Sequence, residues 1–271
     1  MSSDVMDGTT ASAVDHGVRE LLVLWQHPDT REIVPIGRLS RDQQGYAYRY
    51  TRTAAAIDGF RPLPGLGTLE DGIRSETMPA IFRMRVMDVE RPDYANYIAA
   101  LGLNPTTATP WEQIVRSGGN RAGDTLQFME VPVTSAGRAR ARFLTSGVRH
   151  VPDHPLHLAT GMITISRSAH EAALASLEPG AIVDFVRQIG NPHDSNATLI
   201  TLTAPSGIPL GWVPQSLTAS IRELLEAGPI HARVLRINGP ESPSHLRLVL
   251  DLDIPAPDGF RFDREGRWAP M

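Results

Sequence analysis

The chain contains no cysteine and no lysine. Without Cys there are no disulfides, no Cys-ligated zinc and no thiol nucleophile. All 26 of the Lys+Arg positions are Arg, so the lysine of a P-loop and that of a kinase site are missing too. Aromatics are sparse, at 6%, and no apolar run approaches the roughly 18 residues of a membrane-spanning helix. Charge of one dominant sign is also lacking. The formal net charge is -4, which excludes whole-molecule attraction to nucleic acid. Any such binding needs a local patch.

What is present reads as globular. A chain of 271 residues, 41% hydrophobic and 21% charged, can fill more than one core, and two domains are expected. Residues 1–17, polar, small and acidic, read as a disordered tail without the features of a signal peptide, so a cytoplasmic location is expected. "ELLVLWQ" (20–26), "IVPIGRLS" (33–40) and "GYAYRYT" (45–51) read as strands. Helical spacing appears in "MPAIFRMRVM" (78–87) and "RPDYANYIAALG" (91–102). "TPWEQIVRSGG" (109–119) is better marked. Thr109 caps it, Pro110 suits the first turn, Glu112 completes a capping box and Gly118 stops it. "DTLQFMEV" (124–131) returns as a strand.

After a break near 132–137 the pattern turns β-rich, with strands expected over 140–151, 161–168, 181–189, 197–204, 208–214, 230–238 and 245–254. A short helix over 170–177 and a longer one over 215–228 interrupt them, and residues 256–271 read as a polar tail. Many short strands with few helices predict a small barrel-like β unit inside an α+β chain.

Chemistry-bearing patterns are few. His150, His154 and His157 crowd "RHVPDHPLH", but no HExxH-like spacing holds them, and no metal is expected. There is no GxSxG elbow, and the Gly-rich stretch "SGGNRAGD" (117–124) ends a helix instead of opening one. No catalytic residue and no cofactor are expected. "GRARARF" (137–143) sets Arg138, Arg140 and Arg142 on one strand face, with Ala139, Ala141 and Phe143 opposite. That row suits a phosphodiester track, and equally a solvated edge. Residues 137–271 hold as many Arg as Asp+Glu, 13 of each, so broad coating of a duplex is not expected.

"RQIGNPHDSNATLITL" (187–202) clusters Asn191, His193, Asp194 and Asn196 between two apolar runs. It reads either as a turn, since Asn and Asp mimic backbone partners, or as the polar rim of a pocket.

The longer stretch 177–228, "LEPGAIVDFVRQIGNPHDSNATLITLTAPSGIPLGWVPQSLTASIRELLEAG", resembles the core of a HIRAN domain. "FLTSGVRH" (143–150) is similar to that family's first strand, which would extend the resemblance over 143–254. The resemblance implies an OB-like barrel that captures single-stranded DNA at a free 3′ end. It implies that Arg149 grips phosphate and that Asn191 and Asp194 hydrogen-bond the terminal nucleotide, with Asn196 completing the motif. Arg187 would lie at the mouth. His150 and His193 stand where the family carries aromatics, which reduces stacking area, and the segment 150–178 is longer than usual.

The N-terminal half resembles the small N-terminal subdomain of HipA-type toxin kinases. The resemblance rests on "VPIGRLSRDQQGYAYRYT" (34–51), "FRMRVMDVERPDYANYIAALGL" (82–103) and "PWEQIVRSGGNRAGDTLQFM" (110–129). The kinase body is absent, which implies a scaffold or a module for a protein partner.

The expectation is therefore a HipA-N-like module over 18–136 and a HIRAN domain over 137–255, non-enzymatic and binding single-stranded DNA or a DNA end, with no membrane contact. The candidate contacts are Arg138, Arg140, Arg142, Arg149, His150, Arg187, Asn191, His193, Asp194 and Asn196. The alternative is an adaptor for a toxin, nuclease or helicase partner, whose HIRAN fold no longer binds DNA.

Overall fold

The computed structural model describes residues 17–121, 123–203 and 207–271. The tail expected over 1–17 falls outside the described residues except for Gly17, as does Ala204 at the end of an expected strand.

The fold is mixed α+β, with two main antiparallel sheets and six α-helices among the described residues. The first sheet runs β4-β3-β2-β1-β5, from β1 (Glu20–Gln26), β2 (Ile33–Asp42), β3 (Gly45–Tyr50), β4 (Ile73–Ser75) and β5 (Leu126–Glu130). Between them come α1 (Arg52–Ala56), α2 (Ala80–Arg83), α3 (Tyr94–Ala100) and α4 (Pro110–Ser117). The capping box of α4 forms as the sequence predicts: Thr109 Oγ1 accepts from the Glu112 amide, and Glu112 accepts from that of Thr109.

The second sheet runs β12-β11-β10-β13-β14-β7-β6, from β6 (Val133–Ser135), β7 (Arg138–Leu144), β10 (Ile182–Arg187), β11 (Thr198–Leu202), β12 (Pro209–Trp212), β13 (His231–Ile237) and β14 (Leu248–Pro255). A hairpin of β8 (Leu156–Leu158) and β9 (Gly161–Ile163), α5 (Arg167–Ala175) and α6 (Gln215–Ala227) complete the chain. The boundary expected at 137 sits in the β6–β7 turn, where Ala136 and Gly137 both take positive φ.

The seven-stranded ladder is open, and no closed barrel forms among the described residues. An isolated bridge nevertheless joins Ser146 to Trp212, with both N–H···O distances at 2.8 Å. The strand expected over 140–151 does not continue that far. β7 stops at Leu144, and residues Val148–Asp153 form a 3₁₀ turn. Arg149 and His150 are therefore not on a first strand. The cause lies at Gly147, whose φ of 64° breaks the extended path and whose missing Cβ admits the Trp212 ring.

β1 carries an unbroken apolar run because both its faces are buried. Leu21 and Val23 enter one core with Ile36, Tyr48 and Phe82. Leu22 and Leu24 enter the other, with Phe143, Ile200 and Leu250. β5 divides likewise, Phe128 to the first core and Met129 to the second. The first sheet thus walls the core of the second, and Gln215 at the start of α6 accepts the Ile33 amide at 2.9 Å. Residues 256–271 are no loose polar tail, because Phe260 and Phe262 are buried in the second core. No helix among the described residues is long and apolar enough to cross a membrane.

Candidate functional site

The arginine row of β7 forms with the period of two that the sequence implies, since Ala139, Ala141 and Phe143 are buried between the arginines. Its charge is largely matched. Arg138 Nε lies 2.6 Å and Arg140 Nε 3.2 Å from the same Asp253 oxygen, on neighbouring β14. Their attraction holds the Asp253 carboxyl below the usual carboxylate range. Arg142 lies 3.5 Å from Glu130 and 3.7 Å from Asp251, too far for good hydrogen bonds.

Past Leu144 the chain meets a cleft of about 650 Å³ between the two sheets. The end of α4, β5, β7, the 3₁₀ turn and residues 243–245 line it. Among the described residues five arginines line it, Arg116, Arg121, Arg142, Arg149 and Arg236, against one carboxylate, Glu130. Burial pushes the Glu130 carboxyl up, opposed by Arg142 and Arg116. Arg236 donates to the carbonyls of Leu101 and Arg116, and burial together with the Arg116 charge pushes its pKa down to about 10. Burial likewise lowers the pKa of His245.

Arg149 stands exposed at the lip of this cleft. Its Nε donates to His150 Nε2 at 3.0 Å, and among the described residues it pairs with no carboxylate. Gly147 sets its position, since an added Cβ would lie 2.6 Å from Trp212 Cε3 at a backbone angle that side chains avoid. Gly147→Ala is therefore expected to cost about 2 kcal/mol, from positive φ and overpacking together. Urea denaturation is the check, and an unchanged midpoint would count against this account of the turn.

The loop after β10 is arranged as a turn. Asn191 Oδ1 accepts from the amides of His193 at 2.9 Å and Asp194 at 3.2 Å, while Asp194 Oδ1 accepts from that of Asn196 at 2.8 Å. Asn191 Nδ2 donates to Gln188 Oε1, which also accepts from Trp212 Nε1 at 2.6 Å. Trp212, bridged to Ser146, thereby links this loop to the turn that carries Arg149. His193 and Asn196 are exposed, and Arg187 pairs with Glu226 at 3.1 Å. The first part of the insert over 150–178, as far as Ile165, packs on one face of β11, where Val151 and Leu156 meet Leu199 and Trp212. Ala173, Leu174 and Leu177 of its second part are buried in the main core. Ile189 donates its amide to the His157 carbonyl at 2.8 Å.

Of the residues expected to act together, Arg142, Arg149 and His150 share the cleft, while Arg138 and Arg140 are paired at the far end of β7. The sequence reading missed Arg116, Arg121, Arg236, Thr145 and His245. They come from segments far apart in the chain, and no local pattern marks them.

No protein family matches this chain, and no curated protein matches it. Among solved structures, a crystal structure of a protein from Lactobacillus plantarum aligns at 21% identity over 43% of this chain and 96% of that one, with a TM-score of 0.31, which carries no functional argument.

Proposed function

We propose that this chain is a non-catalytic nucleic-acid-binding protein that holds single-stranded DNA along the arginine cleft between its two sheets. One observation carries the reading: among the described residues Arg149 has no carboxylate partner, and it stands at the lip of a cleft lined by five arginines and one glutamate. Guanidinium groups grip phosphate oxygens bidentately, and an unpaired one gives up no existing ion pair to do so. A local arginine patch in a chain of net charge -4 favours a single strand over a coated duplex. In finer terms, we propose an OB-like HIRAN unit over 137–255 and a HipA-N-like module over 18–136. The Ser146–Trp212 bridge and the Gln188 link support the first, because they bring the Arg149 turn and the Asn191 loop to one end of the sheet.

The test is fluorescence anisotropy with labelled single strands and blunt duplexes at low and raised salt. Single strands are expected to bind more tightly. Arg149→Ala should weaken them several-fold and reduce the salt slope by about one phosphate. Absence of single-strand binding at low salt would sink the proposal.

A second reading, the adaptor, is favoured by the insert over 150–178. Its first part covers one face of β11 with the protein's own side chains, and Met162 within it and Ile189 next to it are exposed. Under that reading DNA does not bind, and Ile189→Asp weakens capture of a protein partner.

A further inference from the structure

The floor of the arginine cleft contains polar atoms that the protein itself does not satisfy. Arg142 Nε, Thr145 Oγ1, Arg236 Nε and His245 Nε2 are all buried, all without a hydrogen-bond partner among the described residues, and all on residues lining this one cleft, with Asp251 an ion-pair neighbour of Arg142 Nε at 3.7 Å. Buried polar atoms left unsatisfied are few in folded proteins, and four on residues lining one cleft favour an acceptor there. Thr145 is only 1% exposed. Its methyl is seated against Gly211, where a Cβ would come within 2.4 Å of Cγ2, so its rotamer is fixed. Burial disfavours the protonated form of the His245 ring, and a neutral imidazole still offers one N–H.

The occupant's chemistry follows from charge and number. Water would satisfy Thr145 and His245, but it would not neutralise the guanidinium of Arg236, whereas Arg142 already lies within ion-pair distance of Glu130 and Asp251. Arg236 hydrogen-bonds only carbonyl oxygens, and the carboxylates nearest Arg142 stand at 3.5 and 3.7 Å. An anion would supply the counter-charge that Arg236 lacks among the described residues. The donors come from three separate places, the end of β7, β13 and the turn at Ser244–Leu246, and so approach from several directions. A planar carboxylate suits two forks in one plane, whereas a tetrahedral oxyanion suits donors spread in space. An internal phosphodiester offers two free oxygens; a terminal phosphate offers three and a second negative charge.

We propose that the cleft floor is a binding site for a phosphomonoester dianion, which on the single-strand reading above is the terminal phosphate of a nucleic-acid strand. The lip with Arg149 then follows the backbone while the floor recognises the end. Free phosphate or a mononucleotide presents the same group, and titration distinguishes these sources.

The full-length chain is titrated calorimetrically with inorganic phosphate and with single strands that differ only in carrying a 5′-phosphate, a 3′-phosphate or hydroxyl ends. We expect inorganic phosphate to bind at one site per chain and to compete with a phosphorylated strand. One phosphorylated end should bind at least tenfold more tightly than the hydroxyl strand. Thr145→Val, close in shape to the native side chain, should lose five- to tenfold in phosphate affinity, and His245→Phe should lose a similar factor. Circular dichroism establishes that each variant is folded, and if one is not, the other and the native titrations decide. If inorganic phosphate binds while no strand does, the site stands with a small phosphate ligand and the single-strand reading falls. Strands that bind equally with and without end phosphates, with inorganic phosphate inert, overturn the floor site and leave the single-strand reading intact. Unchanged phosphate affinity in both folded variants overturns it as well.

Discussion

Removing residues 257–271 is expected to cost roughly 4–8 kcal/mol, close to the whole stability of a typical domain, and to leave the chain largely unfolded. Phe260 and Phe262 are 3% and 7% exposed, and both lie in the core shared by β7, β10, β13 and β14. Their rings meet edge to face at 5.2 Å, and Ser220 of α6 donates to the Phe262 carbonyl. Truncating one buried Phe to Ala typically costs about 3–5 kcal/mol, so losing both is severe even after the site partly collapses. The segment then ties back to the first sheet. The amides of Thr53 and Arg52 donate to Arg267 and Ala269, and Pro270 bridges Thr51. Asp263 holds this return by accepting from the amides of Arg267 and Trp268, each at 2.8 Å. Urea denaturation followed by circular dichroism compares the full chain, the chain ending at Ala256 and Phe260→Ala. If the shortened chain melts at the native midpoint, the buried phenylalanines do not hold the core together.

That segment also shows where the sequence was legible. "GFRF" puts two aromatics among charged and small residues, and nothing local distinguishes a packed strap from a polar tail. Its partners are α6 and α1, and only the tertiary fold places them there. α4 could be read because its signals are all local: Thr109, Pro110, Glu112 and Gly118 act within the helix. β7 could be read as far as its alternation runs. Its end could not, because "TSGVRHV" keeps an extended-looking composition and the break depends on the Trp212 ring against Gly147. α2 is shorter than its apolar spacing implies: it ends at Arg83, and further on the Met87 amide donates to Gln113 of α4. The Asn191 loop was legible as a turn, and its hydrogen bonds bear that side of the reading. The arginine cleft was legible only in part, through Arg142, Arg149 and His150. It forms where α4, β7 and β13 meet and each contributes one arginine, with Arg121 and Arg149 added from the segments after α4 and β7. Arg116, Arg121 and Arg236 look like ordinary surface charge in their own segments.

Arg236→Ala is expected to destabilise the protein by about 3–5 kcal/mol, a large effect for one polar side chain. Arg236 sits near the end of β13, and its guanidinium donates to the carbonyl of Leu101, at the C-terminal cap of α3, and to that of Arg116, in the last turn of α4. Helix C-terminal carbonyls lack intrahelical partners and carry partial negative charge, so one cation satisfying two helix ends is well placed. Asn238 adds bonds to the Ala100 and Leu246 carbonyls, at 2.9 and 2.7 Å. Two effects oppose each other. Removing the guanidinium relieves its repulsion from Arg116 and its own burial, which together push its pKa down to about 10. That value still leaves Arg236 protonated at neutral pH, so both bonds are charge-assisted. Each such bond is worth roughly 1.5–3 kcal/mol, and its loss strands a buried carbonyl besides. The relieved repulsion is the smaller term, so the net sign is destabilising. Arg236→Lys should recover only part of the loss, because an ammonium does not reproduce the planar fork that spans two carbonyls. Denaturation midpoints at an unchanged slope read out both variants. If Arg236→Ala shifts stability by less than about 1 kcal/mol, or Lys restores it fully, then the fork does not join α3 and α4 to β13.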